Sequence, residues 1–183
     1  MVVPDILTQK KTVIVRRWFD RVLETYPPDA SRFMEKEKDR FANPVGATIS
    51  SGLETIYKEL LHEMNPETVS DALDGIIRIR SVQEFSPSQA IAFVFLLKRV
   101  IAEELESEFR DSRVFEELLS FDAKIDQLAL IAFDTYMRCR EKIFQIRVDE
   151  VKAQKEMALR LLEITHRTME NMRMGENLHN KGL

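Results

Sequence analysis

The sequence predicts an all-α fold, a compact helical bundle followed by a long projecting C-terminal helix. Three observations carry that expectation. The 183 residues include only 5 Gly and 6 Pro, too few for the many tight turns of a sandwich or barrel. Leu, Glu, Arg, Ala and Met, all good helix formers, abound. From Asp111 to Met174 neither proline nor glycine occurs, a run of more than sixty residues without a strong breaker. Hydrophobic residues make up 44% and charged residues 32% of a 21.4 kDa chain, enough to bury one core under a charged surface and to exclude disorder throughout.

A first helix is expected from about Asp5 to Tyr26, with Ile6, Val13, Trp18, Phe19, Val22 and Leu23 falling largely on one side. Pro27 and Pro28 stop it, and Asp29 is placed to cap a short helix through Phe33 to Phe41. Asn43-Pro44 and Asn65-Pro66 each put a capping side chain before a proline, at the first helical position where a missing amide costs nothing. They open helices burying Ile49, Leu53, Ile56 and Leu60, then Val69, Leu73, Ile76, Ile77 and Ile79. Ser86-Pro87-Ser88-Gln89 is a capping box in front of the most apolar helix, Ile91 to Ile101, expected to be the central one. A break near Asp111-Ser112 and a bend at Ser120 to Asp122 divide the C-terminal third of the chain. The expected core contains Trp18, Phe19, Ile56, Leu60, Leu73, Ile77, Phe93, Leu96, Leu97, Leu128, Ile131 and Phe133.

The last piece, about Ala123 to Met174, would be close to 75 Å long at 1.5 Å per residue. Its second half thins to a heptad seam with alternating spacings of four and three: Met137, Glu141, Phe144, Val148, Val151, Lys155, Ala158, Leu162, Thr165, Met169 and Met172. Eight of those eleven positions are apolar. Either another helix covers the seam or it folds back on its own domain. Covered by a second copy, it makes Phe144, Val148, Val151, Ala158, Leu162 and Met169 the interface of a homodimer. The organisation expected is a helical domain over 1–136, a linker or coiled-coil helix over 137–174 and a flexible tail over 175–183.

The net charge of −4 is unevenly spread: +2 over residues 1–40, −9 over 41–137 and +3 over 138–183. A central acidic block offers no coherent basic face, so nucleic acid is not an expected partner. The N-terminal stretch MVVPDILTQKKTVIV places Pro4, Asp5, Lys10 and Lys11 where a signal peptide needs an apolar run, and no later stretch suits a membrane span. A cytoplasmic location is expected. The single cysteine, Cys139, fits a reducing compartment.

No metal or catalytic motif is found. His62, His166 and His179 have no ligand spacing, and no carboxylate pair stands in an apolar setting that would separate two pKa values. No metal, cofactor or catalytic residue is expected. Cys139, between Arg138 and Arg140, has either a lowered thiol pKa or the plain role of a small helical residue. Arg78, Arg80, Gln83 and Ser86 form a local cluster near a helix end. The arginines either hold an anionic ligand or a partner's carboxylate, or complement the helix dipole.

Arg17-Trp18 with Tyr26-Pro27, RFANPVGATISSGL from Arg40, ALDGIIRIRSVQEFSPSQAIAFVFLLK from Ala72 and LALIAFDTYMRCREKIFQIRVDEVK from Leu128 cover about residues 8 to 152. Together they resemble the N-terminal sensory domain of RsbRD-type co-antagonist proteins, relatives of the RsbR stressosome components. The resemblance implies an all-helical, globin-like input domain, usually without haem, whose last helix carries a signal to an output module of the general stress response. The core-helix region Pro87 to Ile101 has no histidine, so a proximal haem ligand is not expected there. The sequence continues only about thirty residues past the resemblance. The expectation is therefore a free-standing, non-enzymatic regulatory domain that dimerises and binds a signalling protein. The alternative is a scaffold or accessory subunit docking on a partner complex through its C-terminal helix.

Overall fold

The computed structural model describes residues 3–37, 39–83, 85–106 and 112–179, with side chains at 112, 113 and 170–179 left out of the description. Among the described residues there are eight helices and no strand: α1 (Val3–Gln9), α2 (Lys11–Leu23), α3 (Pro28–Lys36), α4 (Pro44–Leu61), α5 (Pro66–Val82), α6 (Pro87–Ile91), α7 (Phe93–Glu104) and α8 (Ser112–His179). The fold is all-α with a long C-terminal helix. Its contacts divide the chain into two units, residues 1–140 and 141–183. The cap expected from Asp111, the seam position Met172 and the side chain of His179 lie outside the described residues.

The three helix starts that pair a cap with proline form as their chemistry dictates. The Asn43 side chain accepts from the Gly46 amide at 2.9 Å, and its own amide donates to the carbonyls of Met34 and Glu37, both at 3.0 Å. One asparagine thus caps α4 and fastens the end of α3 to it. Asn65 accepts from the amides of Glu67 and Thr68. Ser86 and Gln89 close the capping box of α6 in both directions. Asp29 is not a cap: Pro27 takes that position, Pro28 fills the first helical site, and α3 stops at Lys36.

The expected first helix is interrupted at Lys10 (φ −86°, ψ 2°) and ends at Leu23. The bonds from Lys10 N to Ile6 O and from Ile14 N to Lys10 O survive, so the break changes direction at little hydrogen-bond cost. The Lys10 ammonium reaches the Glu104 carbonyl at the end of α7. Among α1 to α7, α4 and α2 have four neighbours each, α2 packing on α1, α3, α4 and α7. Trp18 lies at its centre, fully buried. Its indole N–H donates to the Phe93 carbonyl at 2.6 Å, and the two rings stack with centroids 6.4 Å apart.

The helix opened by Ser86 is split at Ala92 into α6 and α7. Side chains from elsewhere reach its backbone on both sides of the split, Arg80 at Gln89 and Ala90 and Trp18 at Phe93. That is a recognised cause of kinking. α7 buries Phe93, Val94, Leu97, Val100 and Ile101 but leaves Phe95 44% exposed, so one of its sides faces solvent. α4 and α5 pack tightly. A Cβ on Gly52 would come within 2.9 Å of the Ile76 Cδ1, so that position needs glycine's small size.

α8 runs through Ser120 to Asp122 without the expected bend. Asp122 and Asp126 pair with Lys98 of α7, each at 2.8 Å. Lys124 donates to the His62 carbonyl at 2.8 Å and the Leu60 carbonyl at 3.2 Å, satisfying acceptors at the end of α4. Within the first unit, the buried row of α8 is Phe121, Ile125, Leu128, Ala129, Ala132 and Tyr136. Phe133, one residue off that row, is 44% exposed and does not belong to the core. Leu96 and Ile131 are only partly buried, and the other nine expected core residues are buried.

Candidate functional site

The cluster at the end of α5 divides by helical geometry. Two residues apart on a helix means about 200° of rotation, so Arg78 and Arg80 face opposite ways. Arg78 is exposed and pairs with Asp74, one turn back, at 2.5 Å. Arg80 continues the inward row of Leu73, Ile76 and Ile77 and is fully buried. The sequence pattern left the arginines either to meet a ligand or partner or to complement the helix dipole; Arg80, being buried, is not presented to a ligand. The spacing 73, 76, 77, 80 already carried the signal, masked by the charge of the residue type.

Arg80 is the tie between α5 and α6. Its Nε donates to the Ala90 carbonyl at 3.1 Å and Nη2 to the Gln89 carbonyl at 3.0 Å, while both terminal nitrogens reach the Thr25 hydroxyl at 3.2 Å. Rings of Phe85, Tyr26 and Phe93 surround the guanidinium carbon at 4.1, 5.1 and 6.0 Å. The negative faces of those rings stand in for some of the lost hydration. Burial still lowers the Arg80 pKa, and burial raises that of the Tyr26 phenol, partly offset by the Arg80 charge. Among the described residues the Tyr26 hydroxyl and the Gln83 amide oxygen are buried without hydrogen-bond partners. Ser86 is exposed, with its hydroxyl committed to the cap.

Cys139 does not have a lowered pKa. Burial pushes the thiol up, and the Asp74 carboxylate, 3.8 Å from Sγ, adds to the rise, outweighing Arg78 and Arg138. His62 is exposed at the end of α4, and His166 is exposed on α8. Among the described residues no group of three or more His, Cys, Asp or Glu could hold a metal. No described helix is long and apolar enough to cross a membrane. Between α7 and α8 an apolar recess of about 120 Å³ is lined by Ile101, Phe115, Leu118, Leu119, Phe121 and Ile125, with Lys98 and Asp122 at its edge. That is well below the roughly 300 Å³ at which organic-ligand pockets begin.

The second unit is helical through His179, so the helix passes Gly175. Its apolar side chains stand in solvent. Phe144, Val151, Leu162 and Met169 are exposed by 62 to 67%, Ala158 is exposed, and Val148 is half-buried. Ile146, Met157, Leu159, Leu161 and Ile164 are exposed by 50% or more. Phe144, Val148, Val151, Leu162 and Met169 stand at seam spacing, interrupted by Lys155 and Thr165.

The family model described as the RsbT co-antagonist protein rsbRD N-terminal domain matches residues 12–151. An uncharacterized protein of Archaeoglobus fulgidus is 30% identical over 162 residues, covering 85% of this chain and 94% of the relative. No solved structure matches. The match covers the helical unit from residue 12 onward and takes in Phe144, Val148 and Val151 of the seam. The chain belongs to the RsbT co-antagonist protein rsbRD N-terminal domain family.

Proposed function

We propose that this chain is a non-enzymatic regulatory input domain of a cytoplasmic signalling system, and that it acts by dimerising through residues 141–169 and presenting the paired helices to a protein partner. One observation carries the reading: the seam residues Phe144, Val151, Leu162 and Met169 are uncovered in the single chain, at spacings that fit a partner helix. Family membership supports the regulatory part. A seam of this kind responds to a signal by sliding or rotating between discrete packings. In the helical unit the exposed Arg78 on α5, with Gln83 and Ser86 in the segment between α5 and α6, is proposed to meet a ligand or partner. Multi-angle light scattering at micromolar concentration tests the dimer. A mass about twice 21.4 kDa is expected, and a mass near 21.4 kDa would leave the seam without its second copy.

A further inference from the structure

The N-terminal helix ties together three other elements of the helical unit. α1 lies before residue 12, where the family match begins, and the chain changes direction just after it, at Lys10. The Val3 amide, at the start of α1, has no partner within its own helix. It donates to the Glu117 carboxylate of α8 at 2.8 Å, an anion placed where the helix dipole favours one. The Leu7 carbonyl accepts from the buried Tyr57 hydroxyl of α4 at 2.9 Å. The Lys10 ammonium reaches the carbonyl of Glu104, the last residue of α7. The segment 3–10 thus bridges the end of α7 and the start of α8.

That start of α8 is thinly packed. Val114 and Phe121 are buried, but Phe115 and Leu119 between them are exposed. Recesses open on two sides of Phe121, one toward α7 and one toward α1, the latter lined by Val3, Pro4, Glu117 and Ser120. Few neighbours therefore hold these turns, and Val3, bonded to Glu117, is one of them. α1 itself is seven residues long and buries only Val3 and Leu7. So little apolar burial, set against the ordering of a whole segment, characterises a unit that opens at low free energy while the rest stays folded.

We infer that α1 is a strap: it opens and closes as a unit of its own and, when closed, holds the first turns of α8 in place. α8 is also the helix that carries the seam, so the strap is a control point at the start of the output helix. That consequence rests on the proposed function; the opening of α1 does not.

Hydrogen–deuterium exchange read by mass spectrometry tests the strap on the full chain. Residues 7–10 should exchange at least about tenfold faster than the middle of α2. Leu7→Asp, which undocks α1, should speed exchange about tenfold in residues 116–121 as well, and leave α5 unchanged. Glu117→Ala removes only the acceptor of the Val3 amide; it should move the same two segments in the same direction and keep the melting temperature. Exchange of residues 7–10 as slow as that of α2 overturns the strap. Unchanged exchange at 116–121 in either variant overturns its hold on α8, and loss of the cooperative melt in Leu7→Asp makes α1 part of the core instead. Light scattering of the same samples keeps the two readings apart: a monomeric mass removes the dimer, while the exchange pattern still decides on the strap.

Discussion

The Arg80 guanidinium carbon lies 4.1 Å from the centre of the Phe85 ring, inside the helical unit rather than on its surface. A charge so placed is held by its four hydrogen bonds to Thr25, Gln89 and Ala90. Losing them strands buried carbonyls and leaves a cavity. Arg80→Ala should therefore destabilise the domain by about 3 kcal/mol in denaturant titrations. Arg78→Ala, which breaks an exposed pair with Asp74, should cost less than about 1 kcal/mol. Equal effects of the two substitutions would contradict the division of the cluster into an inner and an outer arginine.

Leu97→Ala should cost roughly 2 to 5 kcal/mol, because a fully buried side chain of α7 is replaced by a cavity. Phe133→Ala removes a larger side chain, yet its 44% exposure predicts a loss below about 1 kcal/mol. Thermal melts of the two variants check the pair; the reverse order would mean that Phe133 is part of the core.

The contrast between Leu97 and Phe133 marks how far the sequence could be read. Features set by contacts within a few residues were legible. Asn43, Asn65 and Ser86 announce their helices because the cap and the amide it serves are neighbours in the chain. The inward rows of α2, α4 and α5 were legible too, since their apolar residues recur at helical spacing, apart from Val13, which is 50% exposed, and Ile79, which is half-buried. What depends on distant partners was not. The kink at Ala92 sits where Arg80 and Trp18 meet the backbone, and Lys10, at the other break, sends its ammonium to the Glu104 carbonyl. The unbroken course of α8 at Asp122 accompanies its pairing with Lys98, 24 residues away. Phe133 misled because an aromatic residue next to Ala132 looks like core, whereas the row through Leu128, Ala132 and Tyr136 leaves it outside. Of the candidate site, the seam was visible as a pattern. The inward turn of Arg80 was written in the same spacing as Leu73 and Ile77, but charge suggested surface.

Cys139 offers a chemical check on the packing of α8 against α5. Its raised thiol pKa predicts slower alkylation by iodoacetamide at pH 8 in the native protein than in the urea-unfolded chain. Asp74→Asn removes one of the two causes and should speed the native reaction. For stability, the contribution from keeping this thiol neutral is present below the ordinary thiol pKa and is lost as pH rises through the raised one. Native alkylation as fast as in the unfolded chain would place the thiol in solvent, away from Asp74.

The central claim is that residues 141–169 join two copies while residues 1–140 fold by themselves. Val148→Asp combined with Leu162→Asp puts two charges into the seam and touches no buried residue of the helical unit. Light scattering together with a thermal melt followed by circular dichroism reads both halves of the claim on one sample. The account predicts a mass near 21.4 kDa with the cooperative melt of the helical unit retained. A variant that keeps twice that mass, or one that loses the cooperative melt along with the dimer, would contradict it.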